Sequence, residues 1–156
     1  MKKALILFGV VIVLFIGIAL LNSYQQSKAS EGNMFQKNSL EQDTIKLLDD
    51  PNYQNVILPS ELKSKLTDGE ETTVYFYSSS CSHCLATTPI VAPLAEDLGI
   101  DLVQYNLLEF EQGWNEYNIE YTPTIVQYVD GKEVARIVGG QPEVAFEQFF
   151  DEEVLN

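Results

Sequence analysis

TTVYFYSSSCSHCLATTPIVAPLAEDLG, residues 72–99, is the stretch that decides how this chain folds. Its first six residues are all β-branched or aromatic, the composition of a buried strand. The three serines at 78–80 form a turn. A helix is expected from about residue 82 to 98, with Gly99 as its stop. Pro89 and Pro93 fall inside it. An interior proline removes a backbone donor, so a bend is expected near Pro89. At the junction of strand and helix lie Cys81 and Cys84, the chain's only cysteines, with its only histidine, His83, between them.

Cysteines two residues apart can close a disulfide within one turn of chain, or attack a disulfide elsewhere, so the pair reads first as a redox motif. A helix N-terminus presents unsatisfied N–H groups and partial positive charge. A thiolate there is stabilised, which predicts a lowered pKa for Cys81, and the thiolate is the attacking species in disulfide exchange. Cys84, one turn deeper, is expected to be more buried and to resolve the mixed disulfide. Two other chemistries remain open for the pair. A structural staple across so short a loop contributes only about 2 kcal/mol in the chain-entropy model. A zinc site commonly needs a second such pair, and the chain has none.

Further along, residues 101–106 (DLVQYN) read as a strand and 109–117 as a helix carrying Trp114. Residues 124–129 form a strand, Asp130-Gly131 a hairpin turn, and 133–138 the returning strand. Pro142 suits a first helical position, followed by an apolar stripe of Val144, Ala145, Phe146, Phe149 and Phe150. Upstream, Ser39-x-x-Gln42 has the form of a capping box for a helix over 40–48. Residues 55–58 suggest a short strand, and Ser60 a cap for a helix to about 66. Strands joined by helices favour parallel pairing, while the hairpin requires an antiparallel pair. The expected fold class is α/β: a mixed sheet with helices on both faces.

The amino terminus differs in kind. Residues 4–21 carry no charge and no strongly polar side chain. As a helix they span roughly 27 Å, near the thickness of a bilayer's hydrocarbon core. Lys2 and Lys3 precede the run and only Lys28 follows nearby, a bias that keeps the N-terminus cytoplasmic and sends the rest outside. Residues 1–21 are therefore expected to be one transmembrane signal anchor, 22–38 a flexible polar tether, and 39–156 the folded domain. The alternative is a secretion signal cleaved after the small residues Ser27 and Ala29. Disulfides persist outside the cytoplasm. The net charge of −14 makes nucleic acid a poor partner.

The region from about residue 57 to 155 resembles the thioredoxin superfamily. Cys81-x-x-Cys84 follows its strand as that family's redox motif does, and Pro89 stands at the family's helix kink. Tyr117-Asn118-Ile119-Glu120-Tyr121-Thr122-Pro123-Thr124 resembles the approach to the cis-proline loop. Asp130-Gly131-Lys132 resembles the hairpin, and Gly139-Gly140 the strand end. The resemblance implies a thiol–disulfide oxidoreductase with no metal and no cofactor beyond a redox-active Cys81–Cys84 disulfide. It also implies a cis Thr122–Pro123 peptide beside Cys81, with the Thr122 backbone pairing with an extended substrate.

The departures from the family are specific. Its buried aspartate falls at Tyr75, the lysine partner at Gln104, and the tryptophan before the first cysteine at Ser80. Ser82 and His83 replace the Gly-Pro of thioredoxin itself and are expected to modulate the site. An imidazolium near the thiolate makes a disulfide more oxidising, so the lean is to oxidase or isomerase. The alternatives are a reductase, for example in cytochrome maturation, and a non-catalytic secretion accessory that holds peptides. The resemblance extends to tethered thioredoxin-like proteins of Gram-positive bacteria. It implies a monomer at the cell membrane, acting on cysteine-containing exported proteins. A membrane redox partner, either a quinone-linked oxidase or a reductant carrier, would recycle it. The aromatic residues Tyr105, Trp114, Tyr117 and Tyr121 are mostly expected in the core rather than at a docking rim.

Overall fold

The computed structural model describes residues 2–29 and 32–156, the side chains at 2–7, 25–27 and 29 excepted. Helix α1 runs Lys2–Ala29, and at about 1.5 Å per residue it is roughly 42 Å long. Its described side chains, within 8–24, are almost all exposed, Phe8, Phe15 and Leu20 among them. Among the described residues no helix is long and apolar enough to cross a membrane. The expected span at 4–21 falls partly outside the described side chains.

Past the N-terminal helix come α2 (Gln42–Ile45), a 3-10 turn (Pro51–Tyr53), α3 (Pro59–Thr67), β1 (Thr72–Tyr77) and α4 (Ser82–Asp97). Then follow β2 (Leu102–Asn106), α5 (Gly113–Glu116), β3 (Thr124–Val129), β4 (Lys132–Val138) and α6 (Glu143–Glu153). The sheet order is β2-β1-β3-β4. β1 pairs parallel with β2 and antiparallel with β3, and β3 pairs antiparallel with β4. The stretch expected as a strand at 55–58 contributes one parallel bridge, Val56 to Gln104.

β1 is central, and all six of its residues are buried. Strand side chains alternate between faces. Val74 and Phe76 enter a core closed by Leu62 of α3 and by Phe35, Leu40, Tyr105 and Tyr117. Tyr75 and Tyr77 enter the opposite core, with Cys84 and Val91 of α4 and Phe146 and Phe150 of α6. Helices therefore cover both faces, as the sequence pattern implies. Along α6 the stripe narrows to Phe146, Phe149 and Phe150, and Val144 stays exposed.

Four local expectations change. Residues 33–38, assigned to a flexible tether, fold onto the domain: Phe35 is buried, and its ring meets Phe110. The Lys37 ammonium donates to the Glu109 carboxylate at 2.6 Å and to the Glu109 carbonyl at 3.0 Å. α2 is a single turn whose N-cap is Glu41, not Ser39, and the Glu41 backbone N–H donates to Glu109 Oε1 at 2.9 Å. α5 shortens to one turn, since Glu109 ties its side chain to Lys37 and Glu41. α3 begins at Pro59, with Leu58 as N-cap and the Glu61 carboxylate accepting from the Leu58 N–H at 2.9 Å.

The hairpin turn at Asp130-Gly131 has positive φ at both positions, the pattern that matches strand twist. A Cβ on Gly131 would meet the Leu66 carbonyl oxygen, so this position also demands the absence of a side chain.

Candidate active site

The site assembles where β1 ends. β1 leaves the sheet at Tyr77, and the serine turn reverses the chain, with the Cys81 N–H donating to the Ser78 carbonyl at 3.0 Å. Cys81 becomes the N-cap of α4, with extended backbone angles (φ −85, ψ 117). Its sulfur takes the role a serine oxygen usually has at a cap, accepting from the Cys84 N–H at 3.4 Å. α4 continues unbroken through Pro89 and Pro93.

The two sulfurs differ in environment. Cys81 is partly exposed, whereas Cys84 is fully buried. Burial alone pushes the Cys81 thiol up. Hydrogen bonds to the Thr122 side chain, the Cys84 thiol and the backbone N–H groups of Cys84 and His83 more than offset this, so its pKa lies below the ordinary thiol value. In the thiol form Sγ–H donates to the Thr122 carbonyl at 3.5 Å, a long contact that resists ionisation only weakly. Cys84 goes the other way: burial pushes its thiol up to about 12, and proximity to Cys81 adds to the rise.

The Thr122–Pro123 peptide is cis. It brings the Thr122 carbonyl to Cys81 across 41 residues of sequence. Pro123 is buried and Thr122 half-buried, and Tyr121 beside them is 66% exposed. Of the residues expected at the site, the fold thus brings Cys81, Cys84, Thr122 and Pro123 together. Ser82 and His83 sit on the exposed first turn of α4. The His83 backbone N–H is among the groups that lower the Cys81 pKa. The other aromatic residues divide as expected: Tyr105 and Tyr117 are buried in the face opposite the cysteines, and Trp114 packs against it.

Below the cysteines the site is uncharged where the family carries an acid and a lysine. Tyr75 and Gln104 are paired neighbours across β1 and β2. The Tyr75 hydroxyl shares a 3.0 Å hydrogen bond with Thr88 Oγ1, which donates to the Cys84 carbonyl at 2.9 Å. Gln104 Nε2 donates to the Asn52 carbonyl at 2.7 Å. Tyr75 and Tyr77 stack, their ring centroids 5.8 Å apart, and Tyr53 tilts against Tyr77 at 5.4 Å. Burial raises the pKa of all three hydroxyls, so each stays protonated at neutral pH.

Sequence reasoning missed Tyr53, Thr88 and a buried polar knot behind the serine turn. In that knot Thr44 Oγ1 donates to Ser79 Oγ at 3.0 Å, and Asn106 Nδ2 donates to Ser79 Oγ at 2.7 Å and to Thr44 Oγ1 at 3.2 Å. No spacing marks these residues, which lie up to 62 positions apart. Among the described residues no group of three or more His, Cys, Asp or Glu side chains is placed to hold a metal ion.

Comparison with known proteins agrees with this geometry. The thioredoxin family model matches residues 54–152, which include both cysteines and Pro123. Thioredoxin C-2 of Corynebacterium nephridii is 26% identical over 113 residues, covering 71% of this chain and 97% of that protein. A thioredoxin of Staphylococcus epidermidis is 26% identical over 97 residues, covering 61% of this chain and 92% of the relative. Among solved structures, a mutant thioredoxin from Halobacterium salinarum superposes with a TM-score of 0.55 at 25% identity, covering 65% of this chain and 90% of its own. The chain belongs to the thioredoxin family, whose members are thiol–disulfide oxidoreductases, and it is an enzyme of that kind.

Proposed function

We propose that the chain is a membrane-tethered, extracytoplasmic oxidoreductase that exchanges disulfides with the cysteines of exported proteins. The observation that carries the exchange chemistry is the asymmetry of its sulfurs: an accessible Cys81 with a lowered pKa and a buried Cys84 with a raised one. In the reducing direction the Cys81 thiolate attacks a substrate disulfide, forms the mixed disulfide and releases one substrate thiolate. Cys84 gives up its proton, attacks Cys81 Sγ and releases the second substrate thiolate. Two electrons pass to the substrate, and the protein is left with the Cys81–Cys84 disulfide. The oxidising direction is the reverse. Thr122, beside cis-Pro123, offers its backbone to an extended substrate segment, and Ser82 and His83 lie exposed at the rim.

The uncharged residues 4–21 within the long α1, preceded by Lys2 and Lys3, support the tether and its outward orientation. The domain acts as a monomer and is recycled by a membrane redox partner, either a quinone-linked oxidase or a reductant carrier. The preferred direction is oxidation or isomerisation, supported by the uncharged Tyr75–Gln104 pair. Reduction is the second reading. It is supported by the exposure of His83, which leaves its imidazole in solvent.

Trapping tests the chemistry: Cys84→Ala is expected to accumulate mixed disulfides between Cys81 and exported proteins. No trapped protein where the wild type is active overturns it. Membrane fractionation tests the tether, since release of a shortened chain identifies a cleaved signal instead. A reduction potential near thioredoxin's value of about −270 mV selects the reductase.

A further inference from the structure

We infer that Thr44 is a positioning residue of the redox site, acting through Ser79 and Asn106 on the turn that carries both cysteines. The inference rests on Cys81 and Cys84 being the exchanging pair. Thr44 lies outside residues 54–152, the part of the chain that the family model matches, so the family pattern assigns it nothing. Yet Thr44, Ser79 and Asn106 are each at most 2% exposed and meet in one hydrogen-bonded triangle.

The triangle is placed to act on the sulfurs. Ser79 sits inside the turn 78–80, whose Ser78 carbonyl holds the Cys81 N–H. Two donors converge on Ser79 Oγ, one from Thr44 and one from Asn106, which fixes its rotamer. Asn106 anchors the far side by accepting from the Leu108 N–H at 3.0 Å, and the Leu107 N–H donates to the Tyr77 carbonyl at 2.7 Å. The segment bearing Thr44 is itself pinned, by buried Phe35 and Leu40 and by the Lys37–Glu109 ion pair. The segment that follows α1 therefore reaches the chemistry through a buried, hydrogen-bonded hydroxyl. Buried hydrogen-bonded networks of this kind restrict the geometry of the segments they join.

The titratable groups facing the cysteines are few. They are Tyr75 and Tyr77 on β1 and Tyr53 from the 3-10 turn, with His83 on the exposed first turn of α4. Thr44 carries no charge, so its effect travels through position alone.

The test uses the full chain, reduced, and follows Cys81 alkylation by iodoacetamide against pH and the dithiol–disulfide equilibrium with glutathione. Thr44→Val keeps the shape and removes the hydroxyl. It is expected to slow alkylation near neutral pH about threefold, a rise in midpoint of about half a unit, and to move the glutathione equilibrium about threefold toward the protein disulfide. Thr44→Ser is expected to restore both. Thr44→Val and Ser79→Ala together are expected to shift both by less than the sum of their separate effects, because the two share one contact. Wild-type values in folded Thr44→Val, or failure of Thr44→Ser to rescue, overturn the inference. If Thr44→Val does not fold, Ser79→Ala carries the same test, and wild-type values there overturn it equally. A wild-type protein that exchanges no disulfide with glutathione sinks the underlying redox reading instead, so the two failures are distinguishable.

Discussion

The two faces of β1 are built from residues that alternate along one six-residue strand, yet they do different work. Val74 and Phe76 face an apolar core sealed by α3 and by Phe35 and Leu40 of the N-terminal segment. Tyr75 and Tyr77 face the core that holds Cys84, α4 and α6. The first face supplies burial: a Phe76 side chain removed from water contributes about 1.5–3 kcal/mol. The second adds hydroxyls to its burial, and their dipoles stand where the family places charge. One strand thus separates stability from reactivity by side-chain parity alone.

The largest expected effect comes from breaking the apolar face. Phe76→Ala should cost about 3–5 kcal/mol in urea unfolding while leaving the Cys81 alkylation midpoint of the folded fraction unchanged. A moved midpoint would show that the faces are coupled.

High pH attacks the hydroxyl face. The pKa values of buried Tyr75 and Tyr77 are raised above the ordinary tyrosine value. The folded state therefore keeps protons that the unfolded chain gives up. Their contribution is complete below about pH 10 and is lost as pH climbs above it, by about 1.4 kcal/mol per pH unit for each tyrosine. Tyr105, Tyr117 and Tyr128 add to the loss from the other face. Cys84 titrates only in the reduced protein, and its raised value adds a loss that begins near pH 9 and ends near 12. Circular dichroism against pH should show stability falling more steeply for the reduced form than for the disulfide form. Equal slopes would remove Cys84 from the account.

A smaller effect is expected at the seam between the N-terminal segment and the domain. Lys37→Met leaves the fully buried Glu109 carboxylate without its cation, at about 1–3 kcal/mol once the partial exposure of Lys37 is allowed for. Denaturant unfolding at low and high salt measures it. The smallest effect sharpens the parity argument. Tyr75→Phe removes only the hydroxyl that meets Thr88, and should cost about 1 kcal/mol. A loss as large as that of Phe76→Ala would contradict the division of labour.

Much of the fold was legible because strong local signals agreed. The all-β-branched and aromatic run of β1, the turn serines, the long apolar-periodic α4 and the Asp130-Gly131 hairpin each read correctly within a few residues. The short elements did not. Ser39 resembled a cap, but the helix starts at Gln42, because the Glu109 carboxylate, 68 residues away, takes the Glu41 N–H instead. α5 shrank because Lys37 takes the Glu109 carbonyl and the Gly113 N–H donates to Phe110 instead. A polar composition at 33–38 suggested a tether, but one buried phenylalanine and one ion pair outweigh the polarity of their neighbours.

The sequence by itself pointed to the nucleophile and its partner, because the first cysteine of a Cys-x-x-Cys at a strand-to-helix junction meets the positive end of the helix. The family resemblance further implied that Tyr75 and Gln104 stand where the family carries an acid and a lysine. The tertiary structure alone decided which carbonyl faces Cys81, which hydroxyls surround Cys84, and that Thr44 reaches the turn behind both. Those contacts join residues tens of positions apart. No local propensity encodes them, because they are fixed only when both faces of the sheet close.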